Sequence, residues 1–210
     1  MLNNELSGLY VTIHGPDGVG KTTVGRSVAG VLTGRGHATE FFDDWCNNNH
    51  WNNPFSNTKL RRLVGENNQS FIVLQVAKVA VDSIAITDLT NKGITVIKDR
   101  GIMDVRADLK YRGFDPADCY SPMIREPDFT VLLTVDEEGR YQRLGSKNDV
   151  QSHDYQPNLP GHRMYDMNQY LIDEVGKRVP KKGLILPTDG LSIEAVAGVI
   201  AERLHEYYDS

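Results

Sequence analysis

A glycine-rich stretch that directly follows a short apolar run constrains this chain more than any other feature of its sequence. Residues 15–23 read Gly-Pro-Asp-Gly-Val-Gly-Lys-Thr-Thr, and the apolar run before them, at 9–13, reads Leu-Tyr-Val-Thr-Ile. The three glycines allow backbone conformations with positive φ, in which successive N–H groups converge on one anion. A helix that begins at Lys21 directs the positive end of its dipole toward the same point. The stretch therefore predicts a phosphate-binding loop between a strand and a helix.

The Lys-Thr pair at the end of this loop predicts that the anion is a nucleoside triphosphate. Lys21 can reach the β- and γ-phosphates, and the Thr22 hydroxyl can bind Mg²⁺. A chance glycine turn is the alternative, but it does not explain a Lys-Thr pair at the offset that phosphate binding requires. We expect the donor nucleotide to contact Gly15, Asp17, Gly18, Val19, Gly20, Lys21, Thr22 and Thr23.

The composition favours a cytoplasmic enzyme with a single domain. The chain has 210 residues, of which 40% are hydrophobic, and this supplies one core for a domain spanning residues 1–210. Acidic and basic residues are interspersed and give a formal net charge of -5, so we expect no nucleic-acid partner. No apolar run is long enough to cross a bilayer, and we expect no membrane partner. We interpret the two cysteines, Cys46 and Cys119, as thiols in a reducing compartment.

Short apolar runs alternate along the chain with stretches of helical spacing, which predicts an α/β fold. The runs of β type lie at 10–14, 38–42, 94–98, 129–135 and 184–186. Helical spacing predicts helices at about 21–33 and 69–90, and a last helix that begins after a Ser192 N-cap. Strand–helix units joined by right-handed crossovers form a parallel sheet with helices on both faces. Ligands of such sheets bind at the carboxyl ends of the strands, where the glycine-rich loop lies.

The order of several motifs resembles that of thymidylate kinases. Residues 8–23, which include the glycine-rich loop, resemble the start of that family. The likeness continues at 35–40, at Gly-Ile-Thr-Val-Ile-Lys-Asp-Arg in 93–100, and at Thr-Asp-Gly in 188–190. The resemblance implies a three-layer P-loop fold with a five-stranded parallel sheet, ATP with Mg²⁺ as phosphoryl donor, and a homodimer. It also implies transfer of the γ-phosphoryl group to a nucleoside monophosphate or a nucleoside, because the wider group includes deoxynucleoside kinases.

The Asp-Arg pair near the end of the third predicted strand is a candidate for transfer chemistry. Arg100 can offer a fork of donors to an acceptor phosphate, while Asp99 can orient Mg²⁺ through water or hold Arg100. A structural ion pair at a strand end is the alternative. Asp17 resembles the family's loop carboxylate, which meets the acceptor sugar or the metal, and its alternative is a turn residue. The resemblance places adenine near Thr188 and Asp189.

Two arginines after the fourth predicted strand predict a lid that closes over the phosphates. Arg140 and Arg143 lie at i and i+3, on one face of a helix. They resemble the lid arginines that neutralise charge in the transition state, and the alternative is a solvated basic face. Val19 stands where some family members carry an arginine in the loop, so the lid would supply that charge. Together with the polar stretch at 145–161, these arginines predict a mobile lid at about 140–161.

The acceptor side leaves two acceptor classes open. Arg61 resembles a phosphate-binding arginine of thymidylate kinases, which favours a monophosphate acceptor, either thymidylate-like or modified. Glu40, followed by Trp45, resembles the deoxynucleoside kinase glutamate that deprotonates a 5′-hydroxyl. We interpret the chain as a monophosphate kinase, with a nucleoside kinase as the alternative and a non-catalytic nucleotide-binding regulator as a more remote one. The candidate acceptor residues are Asp17, Glu40, Arg61, Leu74, Gln75, Lys78 and Arg100.

Several positions depart from the thymidylate kinase pattern. Lys78 stands at the position of a phosphate-binding arginine, and Leu74 at that of an aromatic ring that stacks on thymine. Gln75 resembles the base-reading glutamine of deoxynucleoside kinases, offset by one position. His14 replaces a common glutamate, and Gly101 replaces a common aromatic residue. These differences weaken the prediction of thymine specificity.

Overall fold

One parallel sheet of five strands lies at the centre of the fold. The computed structural model describes residues 8–43, 69–116, 122–145 and 162–208. Within these ranges every neighbouring pair of strands is parallel, and the strands lie in the order β2-β3-β1-β4-β5. The predicted α/β fold is confirmed, and each predicted strand is present with its bounds shifted by at most one residue. The strands are β1 (Tyr10–His14), β2 (Thr39–Phe42), β3 (Thr95–Asp99), β4 (Phe129–Thr134) and β5 (Gly183–Pro187).

Six helices accompany these strands in the described ranges. The sequence analysis predicts neither the third nor the fifth of them, so the presence of these two helices corrects that prediction. The third is short and carries Ile102, Val105 and Leu109 at helical spacing on its buried face. Ser192 caps the last helix as predicted, because its Oγ accepts a hydrogen bond from the Ala195 N–H at 3.2 Å. The helices are α1 (Lys21–Gly34), α2 (Gln69–Asn91), α3 (Ile102–Tyr111), α4 (Glu137–Gly145), α5 (Arg163–Gly176) and α6 (Ile193–Tyr208).

One face of the sheet is apolar and is covered by α1 and α6. Alternate residues of β1 and β4 enter this core together with aliphatic side chains of both helices. Burying one such side chain contributes about 1.5–3 kcal/mol, so this core holds α1, and the loop before it, firmly on the sheet. Of the described helices, none is both long and apolar enough to cross a membrane. The fully buried members include Val11, Ile13, Val28, Leu32, Val131, Leu133, Ile200 and Leu204.

The opposite face of the sheet is partly polar and is covered by α2, α3 and α5. Thr12 and Lys98 are neighbours in register on β1 and β3, and both are buried. Lys98 Nζ donates a hydrogen bond to Asp82 Oδ2 of α2 at 2.9 Å. Because a buried polar group without a partner is costly, such contacts fix how α2 lies on the sheet.

His14 joins this polar face to α3 at the point where β1 enters the loop. Its Nδ1 lies 2.5 Å from Asp104 Oδ2, and its Nε2 lies 2.9 Å from Thr12 Oγ1. Asp104 Oδ2 also accepts a hydrogen bond from the Gly101 N–H at 3.0 Å, which caps α3. Burial alone would raise the pKa of Asp104, but His14 and Arg100 lower it to about 2. The carboxylate is therefore ionised, and it fixes the segment that follows β3.

We predict that Asp104 makes the fold sensitive to acid. Its pKa falls from 3.8 to about 2 on folding, so it stabilises the fold above about pH 4 and loses this effect as the pH falls toward 2. The shift corresponds to about 2 kcal/mol. In urea titrations, Asp104→Asn should show a smaller drop in unfolding free energy between about pH 5 and pH 2 than the wild type does.

Asp88→Asn is the control for this prediction. Asp88 pairs with Lys92 on the exposed side of α2, so its removal should leave the acid-induced drop unchanged. An equal drop in the wild type and in Asp104→Asn would contradict the assignment of the acid sensitivity to Asp104.

Candidate active site

Two glycines shape the loop between β1 and α1. Gly15 has a φ of 142°, and a Cβ at this position would lie 2.4 Å from the carbonyl oxygen of Leu133. Gly18 has a φ of 89°, and a Cβ there would lie 2.8 Å from Cγ of Leu144 in α4. A side chain at either position would therefore strain the backbone and clash. Glycine lets the loop lie tightly between β4 and α4 while it leads into the N-terminus of α1, an arrangement that suits phosphate.

Lys21, the first residue of α1, folds its ammonium group back over the loop. Its Nζ donates hydrogen bonds to the carbonyl oxygens of Gly15 and Pro16, each at 3.0 Å. The same Nζ lies 3.5 Å from Asp17 Oδ1. A cation at this place adds to the positive end of the helix dipole, so the site favours the charged end of a triphosphate.

The two residues assigned to Mg²⁺ from the sequence are in contact. Thr22 Oγ1 donates a hydrogen bond to Asp99 Oδ2. The other carboxylate oxygen, Asp99 Oδ1, is buried and accepts no hydrogen bond from any described residue. Mg²⁺ prefers oxygen ligands and takes only one or two from the protein where phosphates supply others. These two residues therefore fit Mg²⁺, although no group of three or more His, Cys, Asp or Glu that could hold a metal occurs in the described ranges.

Asp17 joins the loop to the end of β3. Its Oδ1, which lies near Lys21 Nζ, also accepts a hydrogen bond from Arg100 Nη2. Burial would raise the pKa of Asp17, but the charges of Arg100 and Lys21 lower it below its ordinary value. Arg100 has a φ of 64°, a left-handed conformation that is uncommon for a residue with a Cβ. One charged carboxylate thus sets the distance between two cations that the sequence assigns to transfer.

Arg143 of α4 ties the loop to the segment after β5. Its Nη1 donates hydrogen bonds to the Val19 carbonyl oxygen at 3.2 Å and to Thr188 Oγ1 at 2.8 Å. Its Nη2 donates to the Thr188 carbonyl oxygen, also at 2.8 Å. The side chain therefore fixes the spacing between the two segments to which the sequence analysis assigns phosphate and adenine.

Arg140, the other arginine predicted for the lid, is buried against the same loop. It is 1% exposed, and its guanidinium carbon lies 4.7 Å from the centre of the Tyr141 ring. A Cβ built on Gly18 would lie 3.3 Å from Cγ of Arg140, so the two residues are close neighbours. The start of the predicted lid is thus part of a packed helix, and its remainder at 146–161 lies outside the described residues.

A cleft of about 520 Å³ is lined by most of the residues predicted for the donor site. Its volume is within the usual range for small-molecule sites. Gly15, Arg140 and Asp189 do not line it, and Asp189 Oδ1 instead accepts a hydrogen bond from the Asp136 N–H at 3.0 Å. The predicted residues that do line it are Asp17, Gly18, Val19, Gly20, Lys21, Thr22, Thr23, Asp99, Arg100, Arg143 and Thr188.

Five apolar residues of this cleft are missing from the sequence analysis, namely Val24, Leu144 and three residues close to Thr188. Leu191, Ile193 and Val196 line the cleft close to Thr188, and the first two are 45% and 42% exposed. Apolar surface at the rim of a charged cleft suits the flat face of a base. Leu191 and Ile193 flank the N-terminus of α6, where polar residues usually predominate. Two large apolar residues at such a place could have indicated a binding surface from the sequence alone.

The predicted acceptor residues do not converge in the described part of the chain. Glu40 lies exposed in the middle of β2, which is an edge strand, and is not among the residues that line the cleft. Gln75 and Lys78 are buried on α2, at 8% and 4% exposure. Arg61 and the side chain of Leu74 lie outside the described residues. The geometry therefore leaves Asp17 and Arg100 as the predicted acceptor residues that lie in the cleft.

A smaller cavity adjoins the cleft on the side of α3 and α5. It shares Asp17 and Arg100 with the cleft, and Asp104 and Arg163 also line it. The sequence analysis assigns neither of these last two, because both lie on the helices that it does not predict. Part of this cavity is thus built by two helices that the sequence analysis does not predict.

Comparison with known proteins agrees with this geometry. A family model described as thymidylate kinase matches residues 13–169. Among solved structures, a thymidylate kinase from Candida albicans matches with a TM-score of 0.66 and 17% sequence identity, over 96% of this chain and 94% of that chain. At this identity the likeness shows a common fold, and the comparison with curated proteins finds no match. Because the family model spans well over half of the sequence, the chain belongs to the thymidylate kinase family and is a nucleotide kinase of the P-loop class.

Proposed function

We propose that this chain transfers the γ-phosphoryl group of ATP, with Mg²⁺, to the phosphate of a nucleoside monophosphate. One observation carries the proposal: Asp17 Oδ1 contacts both Lys21 Nζ, at the start of α1, and Arg100 Nη2, at the end of β3. One carboxylate oxygen thereby holds two cations close together. An in-line transfer needs donor and acceptor phosphates to meet at such a point.

The residues of the cleft account for the transfer by positioning and by neutralising charge. Lys21 binds the β- and γ-phosphate oxygens at the N-terminus of α1, and Arg100 orients the acceptor phosphate. Arg143 keeps the loop and the segment after β5 at a fixed spacing through Val19 and Thr188. Mg²⁺ held by Thr22 and Asp99 would supply further charge neutralisation. No general base is required, because a phosphate oxygen already attacks as an anion.

The acceptor that we propose is thymidylate or a related nucleotide, modified ones included. The Candida albicans enzyme with this fold is a thymidylate kinase described as having broad substrate specificity. In the present chain, Leu74 and Lys78 replace an aromatic ring and an arginine of the family pattern. Loss of a stacking ring weakens selection for one base, which supports an acceptor range wider than thymidylate alone.

We predict that the protein releases ADP from ATP only when a nucleoside monophosphate is added, and that Lys21→Ala abolishes this release. The lost charge contact should cost on the order of 3 kcal/mol in the transition state, which corresponds to about 100-fold or more in rate. A coupled ADP assay with a panel of nucleosides and monophosphates, deoxy and modified forms included, measures both effects. Lys92→Ala, at the exposed residue that directly follows α2, is the control. A Lys21→Ala enzyme within a few fold of the wild type would refute the assignment of the loop.

We predict that the acceptor is a monophosphate rather than a nucleoside, and three substitutions decide between them. With a monophosphate acceptor, Arg100→Ala should raise the acceptor KM about tenfold or more, and so should Arg61→Ala. Glu40→Gln should leave kcat unchanged, which agrees with the exposed position of Glu40 in β2. A nucleoside acceptor needs a base for its 5′-hydroxyl, and Glu40→Gln would then lower kcat about 10²–10⁴-fold. Such a loss would reverse the assignment.

We also propose that the protein is a homodimer that pairs through α2. The outer side of this helix carries Val73, Val81 and Ile84, which are 64%, 48% and 58% exposed. A line of exposed aliphatic residues on a long helix is typical of an interface. Light scattering should give twice the 23.5 kDa mass of the chain, and Ile84→Glu should reduce it to that of a monomer. Val199→Glu, at an exposed site on α6, should leave the dimer intact.

A further inference from the structure

The smaller cavity beside the cleft contains an arginine that no motif accounts for. Arg163 is the first residue of α5, and it lines this cavity together with Gly15, Asp17 and Arg100. Apolar side chains of the same helix, among them Met167, complete the wall. The cavity therefore combines two guanidinium groups with an apolar side, next to the carboxylate of Asp17.

A buried carboxylate on α3 holds Arg163 in place. Asp108 is 4% exposed, and its Oδ1 accepts a hydrogen bond from Arg163 Nε at 2.9 Å. Its other oxygen, Oδ2, accepts one from Arg112 Nε, also at 2.9 Å. Within the described part of the chain, Arg163 donates a hydrogen bond to Asp108 alone, and it does so only from its Nε. The two outer nitrogens of Arg163, which form its fork, therefore remain available to a ligand.

Ion pairs hold both arginines of the cavity in place. Arg100 pairs with Asp17 and lies 4.0 Å from Asp104, and Arg163 pairs with Asp108.

We propose that Arg163 is a second binding residue for the phosphate of the acceptor, which it holds together with Arg100. The inference rests on the proposed function, and it adds a described residue to the acceptor side, where the sequence analysis relied on Arg61. A phosphate dianion is bound best by two planar forks that approach it from different directions. Arg100 comes from the end of β3 and Arg163 from the start of α5, so the two meet this requirement. Asp108 acts through Arg163 as a positioning residue.

The test compares Arg163→Ala with Arg112→Ala, because both side chains bind the same carboxylate and Arg112 does not line the cavity. With thymidine monophosphate as acceptor, Arg163→Ala should raise the acceptor KM about 10–100-fold and leave the KM for ATP unchanged. Arg163→Lys, which keeps the charge without the fork, should fall between the wild type and Arg163→Ala. Arg112→Ala should stay within about threefold of the wild type.

A second measurement reads binding without catalysis. Thymidine monophosphate should raise the melting temperature of the wild type and of Arg112→Ala. The rise should be much smaller for Arg163→Ala. Binding of a fluorescent ATP analogue should be the same in all three proteins, which shows that the variants are folded.

The outcomes separate this inference from the proposed function. If Arg163→Ala leaves the acceptor KM unchanged, the inference is overturned while the kinase function stands. The same conclusion follows if Arg112→Ala raises the acceptor KM as much as Arg163→Ala does. A wild type that binds the monophosphate through Arg163 but transfers no phosphate to it would keep the inference and overturn the function. A wild type that neither binds nor phosphorylates a monophosphate would overturn both.

Discussion

The carboxylate of Asp17 is the interaction on which the site depends. It stands in the loop after β1, yet it pairs with Arg100 at the end of β3 and lies 3.5 Å from Lys21 at the start of α1. Without it, two cations on different elements would repel each other at close range. With it, the loop, β3 and α1 are held at one spacing. The spacing of Lys21 and Arg100, the two cations that we propose for the transfer, therefore depends on one negative charge.

The two faces of the sheet contribute differently to this arrangement. The face under α1 and α6 is apolar and gives stability without directional contacts, so it fixes where α1 begins. The face under α2, α3 and α5 contains His14 and Lys98, each paired with a carboxylate of a covering helix. Such pairs are directional, and they are costly to leave unmade. The polar face thus fixes how α2 and α3 lie on the sheet.

The sequence predicted most of the fold and most of the polar residues that line the cleft. The strands were recognisable because β-type runs alternated with long helical patterns, and the loop was recognisable because its glycines and Lys-Thr pair are close together in sequence. The residues of the smaller cavity were not predictable in the same way. Asp104 and Asp108 lie on α3, a helix of ten residues, and Arg163 begins α5, an amphipathic helix as long as α1 that the sequence analysis missed. Their chemistry appears only when two helices distant in sequence pack side by side.

The left-handed backbone of Arg100 has a consequence for the balance between stability and activity. A residue with a Cβ in this region costs on the order of 1 kcal/mol relative to glycine, so glycine would be the more stable choice at the end of β3. Selection for folding alone would therefore remove the guanidinium that faces Asp17. An engineer who optimised this protein for heat resistance position by position would be led to substitute this residue early. The resulting protein would resist heat better and would have lost a guanidinium that we propose for binding the acceptor phosphate.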